Sequence, residues 1–294
     1  MHEKEAAVKI AVLRESGPFE RRVALVPESC RKLITSGFTV GVEAGAGARA
    51  GYSDQAYLDA GATVESVAEE LVRSAGFLLR VNSPESPANE SRREFSWLSA
   101  GTYVLGSLMP LRNLSGMKLL AETGAIAFST DAIPRTTRAQ SMDTLSSMAS
   151  INGYKGVLLA ATKIGKYFPM LSTAAGTVFP AKVFVIGAAV AGLQALATAK
   201  RLGAAVTATD VRPEVKEQIE SVGGKYIGIE LTDDASAGGG YAKELSEEDQ
   251  ERQREMLVDQ VSQSDVVITT ALIGGGFAPT LVTTEMVASM NPGS

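Results

Sequence analysis

Residues 181–210 read AKVFVIGAAVAGLQALATAKRLGAAVTATD, and this stretch leaves the fold few choices. Residues 183–186 are a short β-branched and aromatic run, the pattern of a strand buried on both faces. Gly187 ends the run. Residues 188–202 then carry helix formers, with Leu193, Leu196 and Ala197 at helical spacing, and residues 205–209 read as a second strand closed by Asp210. Strand, glycine turn, helix, strand and acid in register predict a βαβ unit of the dinucleotide-binding type.

Each residue type has a physical reason to stand there. Gly187 permits a sharp turn, and Gly192 lets the helix approach the sheet closely. Ala189, Val190 and Ala191 open the helix, whose unpaired N–H groups would face a pyrophosphate. Asp210 lies 18 residues after Gly192, where a carboxylate accepts ribose hydroxyls, with Val211 beside it. Its charge would repel a 2′-phosphate, which argues for NAD over NADP. Arg212 is the counter-argument, because a guanidinium suits a phosphate. Ala189 stands at the fingerprint's middle-glycine position and sets a Cβ where the pyrophosphate should come closest. Two plainer readings exist. Small residues also serve helix–strand packing, and residues 183–199 are apolar enough to resemble a membrane span, although short and broken by Gly187 and Gly192.

With 294 residues the chain has room for two domains, and 45% hydrophobic with 21% charged residues is a globular balance. A net charge of −5 argues against a nucleic-acid partner. The polar residues 1–7 do not open a signal peptide. Cys30, the one cysteine, fits a reducing compartment and a buried structural thiol. His2 is the one histidine, near the terminus. Ser-His-Asp chemistry, histidine-bearing zinc sites and a histidine general base are therefore excluded.

Before the nucleotide unit the pattern alternates. Strands are expected at 8–13, 38–43, 77–81, 102–108 and 125–128, with helices at 28–36, 67–74 and 114–122 and one capped by Ser53. Residues 83–91 read as a surface loop. This predicts a first α/β domain over 1–142 with its own parallel sheet, followed by a Rossmann domain over 143–294. The fold class is thus α/β, two Rossmann-like domains with a cleft between them.

Residues 131–147, DAIPRTTRAQSMDTLSS, join the two. Asp143 is placed to cap a long helix whose apolar positions Leu145, Met148, Ile151, Tyr154 and Leu158 mark one face. Arg135 could simply pair with Asp143 at that helix start. Equally, this polar loop could enter the cleft where a nicotinamide would lie. After Asp210 come a helix at 213–222, a strand at 225–229, a glycine-rich loop at 233–241, a charged helix at 247–263 and a strand at 265–270. The strand order leads one to expect another strand beyond Ser294, as in a truncated domain.

These residues resemble the NAD(H)-binding component of proton-translocating nicotinamide nucleotide transhydrogenases. RAQSMDTLSS, TAAGTVFPAKVFVIG, TDVRPEVKEQ and GGYAKELS carry the resemblance, while RRVALVP and EAGAGARAGYSD are shared with alanine dehydrogenases. The resemblance implies a homodimeric subunit, cytoplasmic and peripheral on the inner face of a membrane (the matrix side if mitochondrial). It implies docking on a membrane-spanning proton channel and on a separate NADP(H)-binding domain. Hydride would pass directly between the two nicotinamides, coupled to proton movement. By the same resemblance Arg135, Gln140, Asp143 and Ser146 hold the nicotinamide, and Tyr241 belongs to a mobile loop closing on NAD(H). Asp210 holds the ribose, and Thr270, Ala271 and Leu272 line the ribose and nicotinamide side. Ala189, Gly274, Phe179 and Asn152 depart from the family pattern. Two other readings stand: an alanine dehydrogenase, for which Arg80 replaces the expected substrate lysine and no histidine is present, and a non-catalytic NAD-binding paralogue.

Overall fold

The computed structural model describes residues 7–83, 94–229, 246–271 and 280–294. It divides into two compact units, Met1–Pro134 with Ser141–Asp143, and Arg135–Gln140 with Thr144–Ser294.

In the first unit, β1 (Lys9–Val12) turns Ile10 and Val12 into one core cluster and Ala11 into another, together with Leu13 just beyond it. A strand with apolar residues on both faces belongs in the middle of a covered sheet. Around it come α1 (Pro27–Thr35), β2 (Thr39–Glu43), α2 (Asp54–Asp59), β3 (Thr63–Glu65), α3 (Ala68–Arg73) and β4 (Phe77–Asn82). Then follow β5 (Tyr103–Ser107), α4 (Leu114–Glu122) and β6 (Ile126–Ser129). All strand pairs are parallel, in the order β3-β2-β1-β4-β5-β6. The chain winds away from the centre in both directions, so the switch point lies between β1 and β4. Ser53 accepts a hydrogen bond from Ala56 N–H and starts α2 as its sequence predicts. Cys30 is fully buried, and burial pushes its thiol up to about 11.

The second unit begins with α5 (Thr144–Lys163) and the antiparallel hairpin β7 (Leu171–Thr173) and β8 (Gly176–Val178). Next come β9 (Lys182–Ile186), α6 (Val190–Arg201), β10 (Ala205–Thr209), α7 (Val215–Ser221) and β11 (Lys225–Tyr226). α8 (Glu247–Ser262), β12 (Val266–Thr269) and α9 (Thr284–Ala288) follow. The sheet is parallel, ordered β11-β10-β9-β12. β9 is buried on both faces: Val183 and Val185 join the cluster beneath α6, and Phe184 and Ile186 join Leu257, Val261 and Met286 on the other side. The membrane-like run at 183–199 is therefore split between a strand and a helix. No helix among the described residues is long and apolar enough to cross a membrane.

The α/β reading with a parallel sheet in each unit holds, and three details need correction. β3 and the β7–β8 hairpin have no counterpart among the expected elements, being three-residue strands too short for a period to show. The strand expected at 225–229 is only Lys225–Tyr226. The third concerns α5, which buries Gly153 and Val157 while Ile151 and Tyr154 of the expected apolar face are 55% and 49% exposed. Small size is the reason: a Cβ on Gly153 would stand 2.0 Å from the Ala191 carbonyl oxygen, so α5 meets α6 backbone to backbone. Residues 84–91 of the expected surface loop, the 233–241 loop with Tyr241, and Leu272 with Gly274 lie outside the described residues.

Candidate functional site

β9 gives way at Gly187, whose φ of +87° is a left-handed conformation that a Cβ would strain. The space is also closed, because a Cβ there would stand 2.9 Å from Ala271 N. Thr270, just past β12, donates its hydroxyl to the Gly187 carbonyl at 2.6 Å and ties the two strand ends together. Gly192 is tighter still: a Cβ would lie 1.9 Å from the Gly187 carbonyl oxygen and 3.0 Å from Thr270 Oγ1. The first turn of α6 is thus pressed onto the end of the sheet.

Ala189 occupies the N-cap of α6 with φ −76° and ψ −161°, extended backbone that alanine adopts without strain. Its methyl group caps nothing. Val190 and Ala191 follow as the first helical residues, so the partial positive end of the helix is left for an anion.

Asp210 ends β10 beside this turn. Its Oδ2 accepts from Ala188 N–H at 2.8 Å and from Arg212 Nη2 at 2.9 Å. Oδ1 accepts from Arg212 N–H at 3.0 Å and Arg212 Nε at 2.9 Å. Burial alone would raise the Asp210 carboxyl, but the bonds from Arg212 and the two backbone amides outweigh it and hold the pKa below the ordinary value. Tyr226 donates its hydroxyl to the Asp210 carbonyl at 3.2 Å and steadies the strand end. Val211 lies half-buried between the two charged residues.

Gly187, Ala188, Gly192, Asp210, Arg212, Thr270 and Ala271 are therefore one assembly at the carboxyl edge of the second sheet, where open α/β sheets bind ligands. A glycine-forced turn, a close-packed and uncapped helix start and a carboxylate at the next strand end fit a dinucleotide. Arg135, Gln140, Asp143 and Ser146 belong to the stretch joining the units. Gln140 sits exposed in a 3₁₀ turn, Thr137–Met142, while Arg135, Asp143 and Ser146 are half-buried. Asp143 immediately precedes α5, the cap position its sequence predicts, and Ser146 lies in the first turn.

One cluster has no counterpart among the expected site residues. At the switch point of the first unit, buried Arg80 donates Nε and Nη2 to the carboxylate of buried Glu15, each at 3.3 Å, and Nη1 to Glu94. Glu15 also accepts from Val81 N–H at 2.7 Å. Nearby, Arg22 binds Glu20 through Nε at 2.8 Å and Nη2 at 2.7 Å, and Asn82 donates to the same carboxylate. These bonds hold the Glu20 carboxyl at about 2, the Arg22 side chain contributing most. The clue in the sequence is charge within strand-end segments, Glu15 after β1 and Arg80 inside an apolar strand.

The family models place both units. "Alanine dehydrogenase/PNT, N-terminal domain" matches residues 11–152 and "Alanine dehydrogenase/PNT, C-terminal domain" matches residues 156–294. The chain is 45% identical over 289 residues to the first of the two chains that make up NAD(P) transhydrogenase subunit alpha in Rhodospirillum rubrum, covering 98% of this chain and 75% of that one. A transhydrogenase structure from Sinorhizobium meliloti superposes with a TM-score of 0.86 at 43% identity, over 97% of this chain and 76% of that one. Alanine dehydrogenase of Halomonas elongata is more distant, at 31% identity over 98% of this chain and 71% of its own. The chain belongs to the alanine dehydrogenase/PNT family, and NAD(P) transhydrogenase alpha subunits are its near relatives.

Proposed function

We propose that this protein is the NAD(H)-binding component of a proton-translocating transhydrogenase. The observation that carries the reading is the Gly187–Gly192 turn pressed against β12, with the Asp210 carboxylate fixed beside it. In this reading the start of α6, from Ala189 through Gly192, receives the pyrophosphate, and Asp210 with Val211 and Arg212 surrounds the adenosine ribose. Thr270, Ala271 and Leu272 line the ribose and nicotinamide side, and Tyr241 closes over it. Arg135, Gln140, Asp143 and Ser146 orient the nicotinamide ring. The bound cofactor supplies a hydride donor or acceptor at nicotinamide C4, exchanged directly with NADP(H) on a partner domain. The protein's task is orientation rather than acid–base chemistry, which agrees with a chain whose one histidine is His2.

The same reading makes the chain a homodimer that works only with its NADP(H)-binding domain and membrane-spanning proton-channel partner. It would sit peripherally on the inner face of the membrane, its domains meeting near residues 142 and 143. Exposed Ile151, Tyr154, Met170 and Phe179 in the second unit support contact with another copy. Alanine dehydrogenase chemistry is less well supported. Arg80 is enclosed by Glu15 and Glu94, which leaves its guanidinium no role toward a small acid.

The loop separates a hydride-transferring subunit from a mere NAD binder. Most dinucleotide binding energy comes from the adenosine and pyrophosphate, so Gln140→Asn should leave NADH affinity nearly intact. Reduction of an NAD analogue by NADPH, followed in single turnover with the partner domain added, should fall on the order of 100-fold, because a displacement of about 1 Å is enough. An unchanged rate would mean that the loop does not orient the ring.

A further inference from the structure

We propose that Arg212 sets the nucleotide preference of this site by competing with the ribose hydroxyls for the Asp210 carboxylate. The inference rests on the reading of the turn as an NAD(H) site and assigns Arg212 a defined part in it.

A carboxylate offers about four acceptor positions, and all four on Asp210 are engaged. Two of the donors are backbone amides, Ala188 N–H and Arg212 N–H, fixed by the turn and the strand end. They stay when a ligand arrives. The other two are Nε and Nη2 of the Arg212 guanidinium, at 2.9 Å each. A ribose diol brings two hydroxyl donors, and the two positions it can take are those Arg212 holds. Binding at Asp210 is therefore an exchange of one bidentate donor for another.

The latch is strong because it is dry. Side-chain exposure is 11% for Arg212 and 7% for Asp210, so water weakens the pair little. The affinity of a ligand that needs the open form falls by the open fraction. With a net difference of one charge-assisted hydrogen bond, NAD(H) binds about tenfold more weakly than it would to an unlatched Asp210. A displaced guanidinium would remain beside the 2′-position and there offset the repulsion between Asp210 and a 2′-phosphate. Arg212 thus lowers affinity for NAD(H), eases entry of NADP(H) and narrows the gap between them. It acts through Asp210 and is a positioning residue.

The test titrates NADH and NADPH into the unaltered protein, Arg212→Met and Arg212→Lys, each first checked for a native circular-dichroism spectrum. Arg212→Met should tighten NADH about tenfold and weaken NADPH. Arg212→Lys, a point charge without the fork, should fall between. A second measurement needs no variant. The Arg212 Nε–H resonance, slowly exchanging in the free protein, should shift and lose protection when ADP-ribose saturates the site. A merely structural ion pair would keep its resonance unmoved and give NADH affinity that is unchanged or weaker in Arg212→Met. Either result overturns the latch while leaving the NAD(H) site in place. Failure of the unaltered protein and both variants to bind either nucleotide would overturn the NAD(H) reading and the latch with it.

Discussion

Glycine to alanine inside a helix ordinarily stabilises by about 0.5–1 kcal/mol, since alanine loses less backbone freedom on folding. At Gly192 the sign should reverse. The added Cβ would lie 1.9 Å from the Gly187 carbonyl oxygen, about 1.5 Å inside the 3.4 Å where ordinary contact begins. That neighbour is backbone held by the left-handed turn at Gly187, so it cannot swing aside as a side-chain tip would. The start of α6 must lift from the sheet, at an overpacking cost of about 1–3 kcal/mol. The Thr270 hydroxyl bond to Gly187, 2.6 Å long, is strained as well, worth about 1 kcal/mol. After the propensity gain, Gly192→Ala should destabilise by about 1–3 kcal/mol. Gly156 provides the control. It lies in α5 with nothing within 4 Å of an added Cβ, so Gly156→Ala should show the ordinary small gain. Urea unfolding followed by far-UV circular dichroism reads both. The single tryptophan, Trp97, lies in the first unit and reports separately on that unit. If Gly192→Ala matches Gly156→Ala in sign, the close approach of α6 to the turn does not exist in solution, and the anion-binding argument loses its geometry.

Two further outcomes follow from other groups. Glu20 is held at about 2 against an ordinary 4.5, so its contribution is present above pH 4.5 and is lost as pH falls from there toward 2. Glu20→Gln should therefore flatten the acid loss of stability in that window, and an identical acid profile would refute the pairing with Arg22. Ala189→Gly should leave stability level or slightly raised, because glycine is the better N-cap and the backbone there is already extended. NADH should bind it more tightly, and an affinity that does not improve would mean the alanine methyl is clear of the pyrophosphate.

The fold is legible in the sequence wherever a residue pattern is long or punctuated. Residues 205–209 and 114–122 have the boundaries their sequence predicts, because apolar runs there end at Asp210 and at Gly124. Ser53 and Gly37 mark their helix ends through local chemistry, a cap for Ala56 N–H and a φ of +95°. The buried face of α5 escapes such a reading because hydrophobicity is a poor guide where close contact is made by small residues. Periodicity weights Ile151 and Tyr154, while the α5–α6 contact depends on Gly153 having no side chain. The three-residue strands at Thr63–Glu65 and in the hairpin carry too few residues to state a period.

The site is legible as residue types and illegible as pairings. Asp210 and Arg212 can be named from sequence, yet whether the arginine faces a ligand or its neighbour depends on a turn that brings Nε and Nη2 onto one carboxylate. The cluster at the first unit's switch point sharpens the point. There Arg80 is gripped by two enclosed carboxylates, Glu15 and Glu94, and its side chain is only 4% exposed. Opening it would strand one guanidinium and two carboxylates away from water, a cost of several kcal/mol per uncompensated ion. The enclosed carboxylate that Arg212 grips is Asp210, and the arginine's departure leaves it still accepting from two backbone amides. A ribose diol can replace what leaves, so the second pair can open to a ligand while the first holds its sheet edge shut. The same two residue types at two strand ends thus divide into a lock and a latch by how many enclosed carboxylates depend on each arginine.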